Sequence, residues 1–147
     1  MGADLYINTE AFSALNDACQ QMTDGNISVE ELSKLTLEFH NTADYFRDPY
    51  NGLCMLNTVD ISWWDDVIPM LDSDSYLSGE ALGALHKRME ASVQILPTLQ
   101  MLQDNHVMVS EEQTVKFWQD YLLDKREKFD EFLRRAIDND LKIFCSL

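Results

Sequence analysis

The sequence predicts a mainly α-helical protein, a compact bundle of about five helices with a small two-stranded β ribbon formed by the N- and C-terminal segments. Apolar residues recur every three or four positions through most of the chain, residues that cap helices stand before those runs, and period-two alternation is confined to the ends. At 147 residues, with 46% hydrophobic and 25% charged residues, one core suffices. No repeat, low-complexity run or break in composition divides residues 1–147, so a single domain is expected.

Asp4 to Ile7 reads as a short strand, and Leu141 to Leu147 alternates with period two, so the termini are expected to pair. Thr9 caps a first helix whose apolar positions are Phe12, Leu15, Cys19 and Met22, and Asp24-Gly25-Asn26 stops it. Ser28 and Glu31 form a capping box for a second helix that carries Leu32, Leu35, Phe39 and Phe46 inward. Asp48-Pro49-Tyr50-Asn51-Gly52 then turns the chain. Beyond the turn, Asp60 or Ser62 can cap a short helix that Pro69 interrupts, so irregular backbone is expected there. Leu77 and Leu82 staple a helix across Ser78, continuing through Leu85, Met89 and Leu96 until Pro97. Ser110 with Gln113 is read as the cap of a last, long helix carrying Val115, Trp118, Leu122, Phe129, Leu133 and Ala136. Its exposed face, from Lys125 to Arg135, mixes both signs of charge as a solvated helix does.

The net charge of −15 is regional. The first 86 residues hold 15 Asp and Glu against only Lys34 and Arg47, whereas the remainder is nearly balanced. Between Asp48 and Glu80 there is no base at all. Such a field attracts cations and basic surfaces and argues against direct nucleic-acid binding, which needs Lys and Arg in numbers. No basic or apolar leader and no membrane-length apolar stretch is present, so a cytoplasmic protein without a membrane partner is expected. Cys19, Cys54 and Cys145 are widely spaced and flanked by apolar residues, as structural thiols are. No nucleophile elbow, phosphate-cradling glycine loop or Cys-His pair is present, and no cofactor is expected.

Two segments stand out. Read as helix, His40, Asp44 and Arg47 fall on one face at spacings of four and three, where imidazole and carboxylate can share a metal and the guanidinium can hold an anion. The plainer reading is a surface helix with an Asp44–Arg47 ion pair. Zinc also needs a third protein ligand, and His86 and His106 lie in other elements. In Asp60-Ile61-Ser62-Trp63-Trp64-Asp65-Asp66-Val67-Ile68-Pro69, helical spacing turns Trp64, Val67, Ile68 and Leu71 inward and leaves Trp63 and Asp66 sideways or out, an arrangement suited to an interface anchor. The plainer alternative has both indoles in the core and Asp65 at the helix start.

Three fragments, Met1 to Ile7, Tyr45-Phe46-Arg47-Asp48-Pro49-Tyr50-Asn51 and Ser62 to Pro69, together resemble a family of small uncharacterised bacterial proteins. The resemblance covers about a third of the chain directly and implies a bacterial or phage origin with no attached activity. It draws attention to Tyr6, Arg47, Asp48, Tyr50, Asn51, Trp63 and Trp64 as positions that gather in space.

The leading expectation is a non-enzymatic binding protein whose acidic first part meets a basic protein surface, as inhibitors, immunity proteins and anti-defence proteins do against nucleic-acid-handling machines. Asp44, Asp48, Asp60, Asp65, Asp66, Asp72 and Asp74 supply the carboxylates, Trp63 and Tyr50 the anchors, with Arg47 and Asn51 beside them. Two alternatives stand next to it: a small-ligand or metal-assisted enzyme centred on His40, Asp44, Arg47 and Asp48, and a homo-oligomeric module built on the last helix.

Overall fold

The two ends of the chain pair, but inside a larger sheet than a ribbon. In the computed structural model, which describes residues 2–49 and 53–147, β1 (Gly2–Ile7) and β4 (Ile143–Ser146) run antiparallel, with Leu5 opposite Cys145 and Ile7 opposite Ile143. Two internal strands, β2 (Tyr45–Pro49) and β3 (Tyr76–Leu77), flank them, and the order across the sheet is β2-β1-β4-β3. The protein is therefore helical with a small four-stranded antiparallel sheet, which corrects the expected two-stranded ribbon. Two strands alone are marginal in water, and the added strands let both faces of the sheet be covered.

The unexpected strand β2 replaces the end of the second helix. Helix α1 (Glu10–Thr23) starts at Thr9, and α2 (Val29–His40) starts at the Ser28–Glu31 capping box, both as the sequence indicates. However, α2 stops at His40 instead of continuing to Phe46. The Thr42 hydroxyl donates to the Phe39 carbonyl (2.7 Å) and closes the helix. Pro49 biases Asp48 towards extended backbone, and Tyr45 to Asp48 alternates between two faces, so the segment is a strand.

After α3 (Met55–Thr58), Ser62 caps a wide turn over Trp63–Val67, closed by a bond from the Val67 amide to the Ser62 carbonyl (3.2 Å). A short 3₁₀ turn at Ile68–Met70 follows, with Pro69 in it. Helix α4 (Gly79–Ala91) ends five residues before Leu96, and an extended segment leads to α5 (Leu99–Asp104), which the sequence reading did not anticipate. The last helix, α6 (Val115–Asp138), is capped by Thr114, whose hydroxyl accepts from the Phe117 amide (3.2 Å). Ser110 and Gln113 instead close a separate turn, Ser110 Oγ accepting from the Gln113 amide (2.9 Å). Several helices end on a left-handed residue that is not glycine. At the end of α3, Asp60 (φ 57°) and Ile61 donate back to Asn57 and Leu56, and Asp140 (φ 51°) and Leu141 do the same for α6.

The sheet separates two apolar layers. Ala3, Leu5, Ile7, Phe46, Ile143 and Cys145 point to one face, where they meet Trp63, Val67, Leu82, Leu85 and Met89 and the buried stripe of α6: Leu122, Phe129, Phe132, Leu133 and Ala136. Each such large side chain contributes about 1.5–3 kcal/mol on burial. The opposite face presents Tyr6, Tyr45 and Phe144, and the α1–α2 hairpin lays Phe12, Leu15 and Phe39 across them. Cys19, expected inside, is exposed, and the neighbouring Ala18 is buried in its place. Among the described residues no helix is long and apolar enough to cross a membrane.

Candidate functional site

Two residues expected at a binding surface lie in the core. Asp48 is 0% exposed and Trp63 2%. One carboxylate oxygen of Asp48 accepts the Met55 amide (3.0 Å), and the other accepts the Leu56 amide (3.3 Å) and the Trp63 indole N–H (3.0 Å). The residue before α3, Cys54, supplies no side-chain cap, so a carboxylate from strand β2 satisfies the first amides of that helix. Lys125 of α6 stands 3.4 Å from the same carboxylate, its ammonium also lying 5.8 Å from the Phe46 ring centre and 5.3 Å from that of Tyr121. Every hydrogen-bonding site of this carboxylate points inward, so Asp48 organises the core and offers nothing to a partner.

The burial of Trp63 reverses the expected orientation of the indole pair. Neighbouring residues of a helical turn point about 100° apart, so adjacent indoles do not enter the same pocket together. Asp48 provides the only buried carboxylate among the described residues, and Trp63 takes it, leaving Trp64 56% exposed.

His40, Asp44 and Arg47 do not share a helical face, because α2 has ended and β2 begun between them. Arg47 pairs with Asp4 across the sheet through Nη1 (2.9 and 3.0 Å to its two oxygens). Gly2 leaves the room for it: a Cβ there would stand 3.0 Å from Nε of Arg47. Asp44 instead accepts from Nε of Arg135 on α6 (2.6 Å). The His40 ring stacks on Tyr45 at 3.9 Å and lies 3.3 Å from the Tyr6 hydroxyl. Burial lowers the pKa of His40, and Asp4 only partly offsets that. The Tyr45 hydroxyl donates to Asp4, and its pKa is pushed up to about 12, by burial first and by that hydrogen bond second. His40 and Arg47 thus meet one network through Tyr45 and Asp4, while Asp44 is paired away to α6.

Tyr50 and Asn51 lie outside the described residues. Of the remaining acids, Asp66 accepts a fork from Arg88 (2.6 and 3.2 Å) and the Ser62 amide (2.7 Å), and the Arg88 bonds hold its carboxyl below the usual range. Asp60, Asp65, Asp72 and Asp74 are exposed. Asp65 accepts from the Ser62 hydroxyl, and Asp72 accepts the amides of Asp74 and Tyr76 in a tight turn. These four lie in the segment that packs on the Leu5 face of the sheet, whereas the acids of α1 and α2 lie on the Tyr6 face. The acidic stretch of the sequence is therefore split by the sheet.

Asp60, Asp65 and Asp66 meet Arg88 around a polar hollow of about 380 Å³, whereas the Tyr6 face carries an apolar one. A groove of about 330 Å³ runs between α1 and α2, lined by Ala11, Ala14, Leu15, Leu35, Glu38, Phe39 and Thr42. Alanines on α1 keep it open, and Leu35, expected in the core, is 43% exposed in its wall. Helical spacing places Glu10 and Asp17 one turn either side of Ala14, and Glu31 and Glu38 one turn either side of Leu35. Glu38 thus lines the groove, and Glu10, Asp17 and Glu31 stand one helical turn from its apolar lining residues. Asp24 and Glu30 add to them, Lys34 is the one Lys or Arg of the hairpin, and among the described residues none of these acids forms an ion pair. The Glu31, Leu35, Glu38 spacing is visible in the sequence, where helical periodicity points Leu35 to the core. No family model matches the chain, and no curated protein or solved structure matches it.

Proposed function

We propose that the protein acts by binding, as an inhibitor or immunity-type protein that meets the basic surface of a nucleic-acid-handling partner through its α1–α2 hairpin. The observation that carries this is an apolar groove with Glu38 in its lining and, by helical spacing, Glu10, Asp17 and Glu31 one turn from its lining residues, none of the four in an ion pair among the described residues. A complementary segment is an amphipathic helix with apolar residues at i, i+3 or i+4, and i+7, flanked by Lys and Arg. A surface that binds phosphates displays such cations, and carboxylates held at similar spacing compete for them and accelerate encounter. Burial of Asp48 and Trp63 and the pairing of Asp44 and Asp66 remove those residues from the docking set, which shifts the surface from the acidic segment after β2 to the hairpin.

The test is capture with tagged protein at about 50 mM and about 500 mM salt, a range over which exposed charges become screened. Wild type is compared with Leu35→Glu, with a variant neutralised at Glu10, Asp17, Glu31 and Glu38, and with a variant neutralised at Asp60, Asp65, Asp72 and Asp74. The expected result is a basic partner held at low salt, lost from the first two variants and kept by the third, whose own nucleic-acid binding is blocked by the wild-type protein. Retention by the hairpin variants, or equal retention at both salt concentrations, overturns the reading.

A further inference from the structure

Away from the hairpin, helices α4 and α6 pack antiparallel, so that Arg126 reaches the Met89 carbonyl (2.9 Å) while His86, one turn earlier on α4, meets Asp130, one turn later on α6. His86 and Glu90 stand four residues apart on α4 and so project from one face. Nε2 of His86 is 2.9 Å from Oδ1 of Asp130, and Nδ1 lies 3.9 Å from Glu90. One donor atom from each of the three residues can be chosen so that all lie within 4.8 Å of one another. Two donors on a tetrahedral ion, each about 2.0–2.1 Å from it, stand roughly 3.3 Å apart, so an ion enters between His86 and Asp130 with a shift of a few tenths of an ångström.

A cation already serves this cluster. Arg134 donates from Nε to Asp130 (2.9 Å), and its Nη2 lies 3.5 Å from Glu90, so one guanidinium spans both carboxylates. Its side chain is more than half exposed, so turning it outward would leave the guanidinium in water, whereas the His86 side chain is largely buried. Beside the cluster a groove of about 440 Å³, lined in part by Glu90, Asp130 and Arg134, leaves room for water or a further ligand.

We propose that His86, Glu90 and Asp130 bind a divalent transition-metal ion of the zinc class, displacing Arg134. One imidazole and two carboxylates match the nitrogen and oxygen preference of such ions, while three protein donors are too few for calcium, and the imidazole disfavours magnesium. Three protein ligands also leave a coordination position open towards the groove. The site is independent of the hairpin, and neither proposal depends on the other.

The test titrates metal-free protein with zinc and magnesium under chelator competition and with cobalt, whose visible absorption reports the coordination. One zinc or cobalt ion per chain and no magnesium at equal concentration are expected. Glu90→Gln, at a half-exposed position that leaves the fold intact, weakens binding, and His86→Gln abolishes the cobalt spectrum. Arg134→Gln tightens zinc binding by about two- to fivefold, the factor that release of an exposed ion pair allows. Absence of stoichiometric zinc, a cobalt spectrum unchanged by both ligand variants, or unchanged affinity in Arg134→Gln overturns the assignment.

Discussion

The indole of Trp63 donates to the carboxylate of Asp48 at 3.0 Å, fifteen residues away in sequence, with both side chains buried. The bond ties strand β2 to the wide turn after α3, and the same carboxylate holds the first amides of α3. Removing it leaves three donors and the Lys125 ammonium without their acceptor. Asp48→Ala is expected to cost about 3–5 kcal/mol, the range for breaking a buried charge pair. Asp44→Ala, which releases only the half-exposed Arg135, is expected to cost about 0–1 kcal/mol. Urea midpoints of the two variants measure the contrast, and similar losses would contradict the assignment of Asp48 as the core acceptor.

The opposite exposures of Trp63 and Trp64 are read by fluorescence. Acrylamide quenches an indole it can reach, so Trp64→Phe should remove most of the easily quenched emission and Trp63→Phe very little of it. Quenching that survives Trp64→Phe unchanged would mean that Trp64 is not the accessible indole.

Several groups make the folded state sensitive to alkali, Cys54, Cys145 and Tyr45 with the largest shifts and Tyr6 raised by burial as well. The pKa of Cys54 is pushed up from 9.0 to about 11 by burial, with Asp48 adding to it, and that of Cys145 from 9.0 to about 12 by burial. Tyr45 is raised from 10.0 to about 12. A folded-state pKa above the unfolded value means that the contribution is complete below the unfolded pKa and is lost as pH rises through the folded one. Stability should therefore decline from about pH 9, where the unfolded thiols begin to ionise, and continue to fall to about pH 12. In Tyr45→Phe the fall above about pH 10 becomes shallower, and the late phenolate absorbance shrinks to the part that Tyr6, also raised by burial, contributes. A urea midpoint constant to about pH 12 contradicts these shifts.

Thiol chemistry separates the cysteines. Cys19 is exposed on α1, whereas Cys54 and Cys145 are buried and held protonated. A disulfide reagent at neutral pH should label one thiol quickly, and Cys19→Ser should abolish that fast phase, with the other two reacting only on unfolding. Three fast thiols in the native protein would place Cys54 or Cys145 at the surface.

Local chemistry made several elements legible. Thr9 and the Ser28–Glu31 box start helices where the sequence places them, because a cap is satisfied within three residues. Where two caps competed, proximity decided: Thr114 stands directly before the apolar run of α6, while Ser110 with Gln113 satisfies its own turn. The spacing of Phe46 from Phe39 suits a helix, whereas the strand that contains Phe46 pairs with β1, with Leu5 opposite it.

The same limit governed the candidate site. Charge and composition alone established an acidic first part, a helical body and pairing ends, since each depends on residues near one another in sequence or on the hydrophobic pattern. Tertiary structure alone decided which acids remain available. Asp48 is enclosed because its donors come from positions 55, 56 and 63, and Asp44 is paired because α6 brings Arg135 to it from 91 residues away. The sheet then places the acids of the hairpin and those from Asp60 to Asp74 on opposite faces. Charge belongs to a residue and can be read from the chain, but exposure and pairing belong to contacts that exist only after distant segments meet.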